Sequence, residues 1–319
     1  TGATVGTVEK NTSAGTMSIV NSKVGNGSSI TPDSNIIMLN CKDETGATLP
    51  NVQPSGEDGS FLVGTTIYES LSDALTNAPD GGTIYLTKDQ VTIDSALFTI
   101  NKNVTIAGPG TIDATVQAGS STNHAFTVAG GKSLTLDHVT LNIEGSTDGG
   151  YGIDVRYSGT LTLNDSTVNL SNLSNATISA KSGDESIDTV PGVFNLNNST
   201  ITAKDIRGNF SNGGTWTIGT GSLVDIDNCT SHGFSASSIT VENGGTVDIS
   251  NVGYRGISIN DAGGKLEIQS GGVVNVTNAG TAGTHDAVYL SNNATGGLQV
   301  VEGGTLNVTA GASGNNSIM

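Results

Sequence analysis

The sequence predicts an all-β chain: a right-handed parallel β-helix of three sheets and about nine coils, closed at one end by a single N-terminal helix. Three observations carry this expectation. Glycine supplies 45 of 319 residues, about twice its ordinary share of roughly 7%, and charged residues are only 13%. Gly and Thr at this density weaken any helix that contains them. Next, three late segments nearly superimpose: Ile239-Thr-Val241-Glu-Asn-Gly244-Gly245-Thr-Val247-Asp-Ile249, Leu266-Glu-Ile268-Gln-Ser-Gly271-Gly272-Val-Val274-Asn-Val276 and Leu298-Gln-Val300-Val-Glu-Gly303-Gly304-Thr-Leu306-Asn-Val308. Each alternates apolar with polar residues on both sides of a Gly-Gly turn, which puts the apolar ones on one face of a strand. Finally, a third short strand recurs between these pairs: Ala125-Phe-Thr-Val128, Gly152-Ile-Asp-Val155, Gly233-Phe-Ser-Ala236, Gly256-Ile-Ser-Ile259 and Ala287-Val-Tyr-Leu290. Three strands per turn and right-handed crossovers define the coil, and about nine turns at roughly 4.8 Å make a rod of about 40 Å.

Taken in order, residues 1–63 look unlike the rest. Ile36-Ile-Met-Leu39 reads as a strand among Gly-, Ser- and Asn-rich loops, either a cap extension or the end of a preceding domain. Residues 64–319 form the β-helix. Its first element is a helix: Ile67, Leu71, Ala74, Leu75 and Ala78 share one helical face, Thr66 with Glu69 fits a capping box, and Pro79-Asp80-Gly81-Gly82 stops it. Lying just before the first coil, it should cover the open end of the core. Fainter copies of the repeat begin at Ile84, Val104, Leu134, Leu161, Phe194 and Trp216, with Trp216 and Ile218 alternating into the core. Val168-Asn-Leu170-Ser-Asn172, Val224-Asp-Ile226-Asp-Asn228, Val247-Asp-Ile249-Ser-Asn251 and Val274-Asn-Val276-Thr-Asn278 place Asn at one position per coil, where it suits a left-handed turn and a stacked amide ladder. Asn316-Ser317-Ile318-Met319 resembles the start of another third-type strand, so with Thr1 at its head the chain is expected to be a monomeric fragment of a larger protein.

Composition excludes several functions. With 29 acidic residues against 12 Lys+Arg, and a formal charge of −17, no nucleic-acid partner is expected, because phosphate binding needs a basic surface. No apolar run approaches the roughly 18 residues of a membrane-spanning helix, so no membrane insertion is expected. Cys41 and Cys229 are far apart in unlike contexts and are expected to be two thiols or one incidental bridge rather than metal or redox centres. The acidic, Thr/Ser/Asn-rich, Lys-poor composition points to an extracellular bacterial surface.

Ser70-Leu-Ser-Asp-Ala-Leu-Thr-Asn-Ala-Pro-Asp-Gly-Gly-Thr-Ile-Tyr-Leu86, followed by Val104-Thr-Ile-Ala-Gly-Pro-Gly-Thr-Ile112, resembles the start of the right-handed parallel β-helix of the pectin-lyase-like superfamily, and resembles adhesin-type members found on bacterial surfaces. The resemblance covers roughly residues 65–319. It implies a fold that serves lyases, hydrolases, tailspikes and adhesins alike, so function must come from the site. In polygalacturonase-like members the catalytic residues lie on or just before the Gly-Ile-x-Ile strand of successive coils. The resemblance therefore directs attention to His124, Tyr151, Asn175, Arg207, His232, Arg255 and Asp286, with Asn123, Ser231, Tyr254 and His285 one position earlier. Three of the four histidines and two of the three arginines fall in this stripe.

The stripe departs from those hydrolases, whose motifs are Asn-Thr-Asp, Asp-Asp, Gly-His-Gly and Arg-Ile-Lys. Here the slots read Thr122-Asn123-His124, Gly150-Tyr151, Ser231-His232-Gly233 and Tyr254-Arg255-Gly256. Only the histidine and arginine have counterparts, whereas glycoside hydrolysis needs two carboxylates, about 5 to 5.5 Å or about 6.5 to 9.5 Å apart. Asp286 is the sole carboxylate in the column, with Asp154 in a strand several coils away, and Arg156 and Lys204 are exposed bases without an evident acidic partner. No cofactor is expected. If a calcium ion binds, Asp225 and Asp248, expected to be vertical neighbours facing solvent, with Asp227 nearby, are its candidates.

The expected function is a non-catalytic adhesin or stalk module of a bacterial surface protein. Its ligand is a glycan or a host or environmental protein, bound along one face through His124, Tyr151, Arg207, His232, Tyr254, Arg255, His285 and Asp286. The alternative is a polysaccharide lyase or glycoside hydrolase using His285, Asp286, Arg255 and His232. A third class, ice binding, needs a flat Thr array; Thr160/Thr162 and Thr215/Thr217 hint at one that Asp248, Glu267 and Gln299 interrupt.

Overall fold

In the computed structural model the described residues form a parallel β-helix of nine coils; every coil contributes to the first and second faces, while the third face is an eight-stranded sheet that Ile318 extends by a single bridge to Val288. The structure describes residues 4–5, 17–24, 36–49, 59–116, 124–146, 150–174, 178–179, 190–283, 285–311 and 318–319. A typical late coil runs Ser238–Val241, Thr246–Val252, Ile257–Ile259. In two early coils the first two strands fuse into the long strands Val104–Val116 and Ser133–Gly145, which bend where their register shifts after Ala107.

Stacking in register builds the core. On the first face Val104, Leu134, Leu161, Phe194, Trp216, Ile239, Leu266 and Leu298 lie one above another, so the repeat of coil one starts at Gly82, and Ile84 pairs with Ile106. A matching second-face column runs from Ile112 and Leu141 to Val274 and Leu306. In the middle of the rod the small, fully buried Ser211 takes a place that Phe234 and Ile257 fill in the next coils. Aromatic rings crowd that level: Trp216 stacks on Phe194 at 4.0 Å and meets Phe234 edge-on at 4.7 Å. The Gly-Gly turns divide their labour. Gly244, at φ +75°, adopts the left-handed backbone, while a Cβ on Gly245 would stand 2.4 Å from the Ile218 carbonyl oxygen of the coil beneath. Asn172, Asn228, Asn251 and Asn278 hold φ between +53° and +59°, as their shared position predicts.

The capping helix spans Leu71–Asn77 and buries Leu71, Ala74 and Leu75 against the first coil's core. Its start differs from the sequence expectation. Ser70, not Thr66, is the N-cap, its hydroxyl accepting from the Asp73 amide at 3.1 Å. Thr66 and Ile67 instead belong to the strand Thr66–Tyr68, whose partner Phe61–Val63 also lies antiparallel on Gly82–Leu86. That hairpin covers the first coil's edge and outcompetes one further helical turn. Before it, Met17–Val20 pairs parallel with Ile36–Leu39, and Ile37 and Leu39 pack on Leu62. Cys41 and Cys229 are both buried free thiols in separate clusters.

Inward placement of Ile257, fully buried in the third face, makes Ile257→Asp cost about 4 kcal/mol or more, since its charge has no partner there. Gly233→Val should also destabilise strongly, because a Cβ there lies 2.6 Å from the Gly256 carbonyl oxygen. Urea midpoints measure both; near-native midpoints would refute the inward assignment.

Candidate functional site

The corner where each coil enters the third face collects the stripe. Register places His124, Tyr151, Asn209, His232, Arg255 and Asp286 in one row, two residues ahead of the inward Phe126, Ile153, Ser211, Phe234, Ile257 and Val288. A glycine follows several row residues for a physical reason. A Cβ on Gly256 would stand 2.3 Å from Val276 Cγ1, so this slot takes only a very small residue: glycine here, and the fully buried Ala125 and Ala287 in other coils. Asn209, absent from the sequence expectation, occupies the slot expected for Arg207. Asn209 stands three residues past the end of the strand Thr200–Ile206, as His232 and Arg255 do past theirs, whereas Arg207 directly follows the strand and is exposed at the preceding bend. Asn123 and Asn175 lie outside the described residues.

The row divides into two clusters. In the upper one, the His124 and Tyr151 rings lie 4.6 Å apart, and Asp154 is buried beneath them in the same strand as Tyr151. Arg156 Nε reaches Asp154 Oδ2 at 3.2 Å, so this base does have an acidic partner, two residues away along its own chain segment. Burial pushes the Asp154 carboxyl above its ordinary range, with His124 and Arg156 opposing.

In the lower cluster, Tyr254 lies between two imidazoles, 5.5 Å from His232 and 4.4 Å from His285. The Arg255 guanidinium carbon sits 3.7 Å from the centroid of the Tyr289 ring. Its Nε is buried with no hydrogen-bond partner among the described residues. The Asn209 side-chain oxygen accepts from the His232 amide at 3.1 Å, and His232 Nδ1 accepts from the Arg255 amide at 3.3 Å. That second bond requires a neutral ring carrying its proton on Nε2. Electrostatics agrees: burial first, then Arg255 and His285, push His232 down to about 4. Asp286 is half-buried in the next coil and is the one carboxylate of the described row.

The candidate calcium residues are elsewhere, on the second face. Asp225 and Asp248 are register neighbours, half-buried. Partial burial, then Asp248 and Asp227, push Asp225 above the usual carboxylate range. Asp248 is already engaged, accepting from the Asn275 amide at 2.6 Å. On the first face Thr83, Thr105, Thr135 and Thr162 do form a row, which Asn195 breaks and Glu267 and Gln299 end; Asp248 lies on another face and does not interrupt it. Compared with known proteins, the chain matches no family model, no curated protein and no solved structure. The fold and site define a class, a parallel β-helix with a lateral row of aromatic, imidazole and guanidinium groups.

The neutral His232 gives a signed pH dependence. The unfolded chain takes the proton near 6.5 and the folded chain only near 4, so this histidine's contribution to stability is complete above about 6.5 and is lost as pH falls toward 4. Between pH 7 and 4, His232→Gln should lose less melting temperature than the wild type. Equal losses in calorimetry would show that His232 protonates freely.

Proposed function

We propose that this chain is a non-catalytic module of an extracellular bacterial surface protein, an adhesin or stalk segment of the pectin-lyase-like kind. It holds a glycan, or a protein partner, against the corner formed by Tyr254, His232, His285 and Arg255. One observation carries this: an exposed tyrosine set between two imidazoles, edge-on to His232 and tilted against His285, beside a guanidinium braced on Tyr289. Flat rings match the apolar faces of sugars, and a neutral imidazole with a braced guanidinium supplies hydrogen bonds for hydroxyl or carboxylate groups. Arg255 is held in place before any ligand arrives, so little side-chain entropy remains to be lost on binding. The rod contributes rigid length and a long lateral surface. The acidic surface disfavours a nucleic-acid partner, and no helix among the described residues is long and apolar enough to cross a membrane.

A second role, polysaccharide lyase or glycoside hydrolase, draws on the raised Asp154 carboxyl beside His124, a group suited to proton donation. Hydrolysis would still need a second carboxylate within about 5 to 9.5 Å. Both roles are tested by a glycan-array screen at neutral pH with added calcium, run beside reducing-sugar and unsaturated-product assays on the same polysaccharides. Binding without product is expected, with Tyr254→Ala and Arg255→Ala each weakening it about tenfold or more and leaving the melting temperature near that of the wild type. Product release would overturn the non-catalytic assignment and make Asp154, His285 and Asp286 the first residues to replace.

A further inference from the structure

The fourth histidine, His138, lies outside the stripe, at the bend between the first and second faces. There the chain turns through a left-handed residue in successive coils: His138 at φ +55°, Asp165 at +47° and Asn198 at +47°. Because Asp137, Asn164 and Asn197 are register partners, these three turn residues stack on one another. The stacking puts His138 Nε2 3.7 Å from Asp165 Oδ2, while His138 Nδ1 lies 2.8 Å from Asp137 Oδ1.

The two distances mean different things. At 2.8 Å the Asp137 carboxylate accepts a proton from Nδ1, which fixes the ring's orientation and leaves the Nε2 lone pair directed at Asp165. At 3.7 Å the second contact is too long for a hydrogen bond. It is close to the spacing of two ligands on one metal ion, since tetrahedral bonds of about 2.1 Å separate neighbouring ligands by about 3.4 Å. Asp165 is oriented in the same way: its Oδ1 accepts from the Asn198 amide at 2.6 Å, turning Oδ2 toward the imidazole. Each ligating group thus has its other polar atom held by an outer partner, the arrangement that tunes metal-bound histidines and carboxylates. The site is open, with the His138 side chain 61% and the Asp165 side chain 45% exposed, and a concavity that Lys23, Asn40, Lys42 and Asp43 line adjoins His138 and Asp137.

We propose that His138 Nε2 and Asp165 Oδ2 bind a divalent transition-metal ion, zinc by ligand type, with Asp137 and Asn198 orienting the ligands and water completing the coordination. Imidazole with carboxylate favours zinc over calcium, which takes six to eight oxygen ligands. The site is independent of the aromatic corner: it lies at a different bend of the coil and shares no residue with it.

Zinc titration of the purified protein by calorimetry at pH 7.5 tests this, with bound cobalt(II) absorbance as a second readout. One equivalent should bind to the wild type. His138→Asn keeps the turn, because Asn adopts the same backbone at position 198, and should weaken zinc at least tenfold with an unchanged melting temperature in metal-free buffer. Asp165→Asn should do the same. Three results would overturn the site: no binding by the wild type, binding that His138→Asn leaves intact, or loss of binding through His232→Ala.

Discussion

Parallel in-register stacking is the constraint on which everything else in this molecule depends. Each coil lies on the one before it at strand spacing, so a residue's neighbours are the residues at its own position one turn away. Leu161 rests on Leu134 and supports Phe194, and the same holds along all three faces. A hydrophobic share of 34% is then enough, because the inward apolar side chains of the inner coils are covered mostly by others of their kind above and below. The same rule explains the second glycine of each Gly-Gly turn, where the carbonyl of the coil beneath occupies the space a Cβ would need.

Stacking also raises an electrostatic problem, since a charge at one position tends to meet a charge at the next. In a chain with formal charge −17, amides largely solve it. Asn169 donates to Asn142, which donates to Asp113; Asn307 donates to Asn275, which donates to Asp248. At the neighbouring turn, Asn228 donates to Asp205, and Asn251 with Ser250 donates to Asp227. Two of these carboxyls are held below the ordinary range: Asp113 by Gln90 first and then Asn142, and Asp227 by Asn251 and then Ser250. Asp225 on Asp248 is the exception: there partial burial first, and then the neighbouring Asp248 and Asp227, push the Asp225 carboxyl up.

The same geometry makes functional clusters from residues distant in sequence. His232, Tyr254 and His285 meet because three coils bring their corners into line, and His138 meets Asp165 for the same reason one bend away. The two clusters differ in setting. At the third-face corner, partial burial keeps His232 neutral and fixes Arg255 on Tyr289, a surface prepared for contact. At the first bend, exposed carboxylates surround an imidazole whose free nitrogen points at one of them.

The sequence alone determined the coil. Alternating apolar residues, the Gly-Gly pairs and the recurrent Asn after each second strand are local signals of strand, turn and period, and all reappear in the structure, because stacking repeats one local pattern. The third-face stripe was legible in outline for the same reason, since Gly233 and Gly256 mark the corner beside His232 and Arg255. One member of the row was not legible. Phe210 follows Asn209 where Gly233 and Gly256 mark the corner in the next two coils, so the local signal that flags His232 and Arg255 is missing there, although the spacing from the preceding strand is the same. The helix start and the meeting of His138 with Asp165 were decided by tertiary structure alone. Each depends on which competing strand, ring or carboxylate lies across a coil boundary, and only the relative placement of whole coils fixes that.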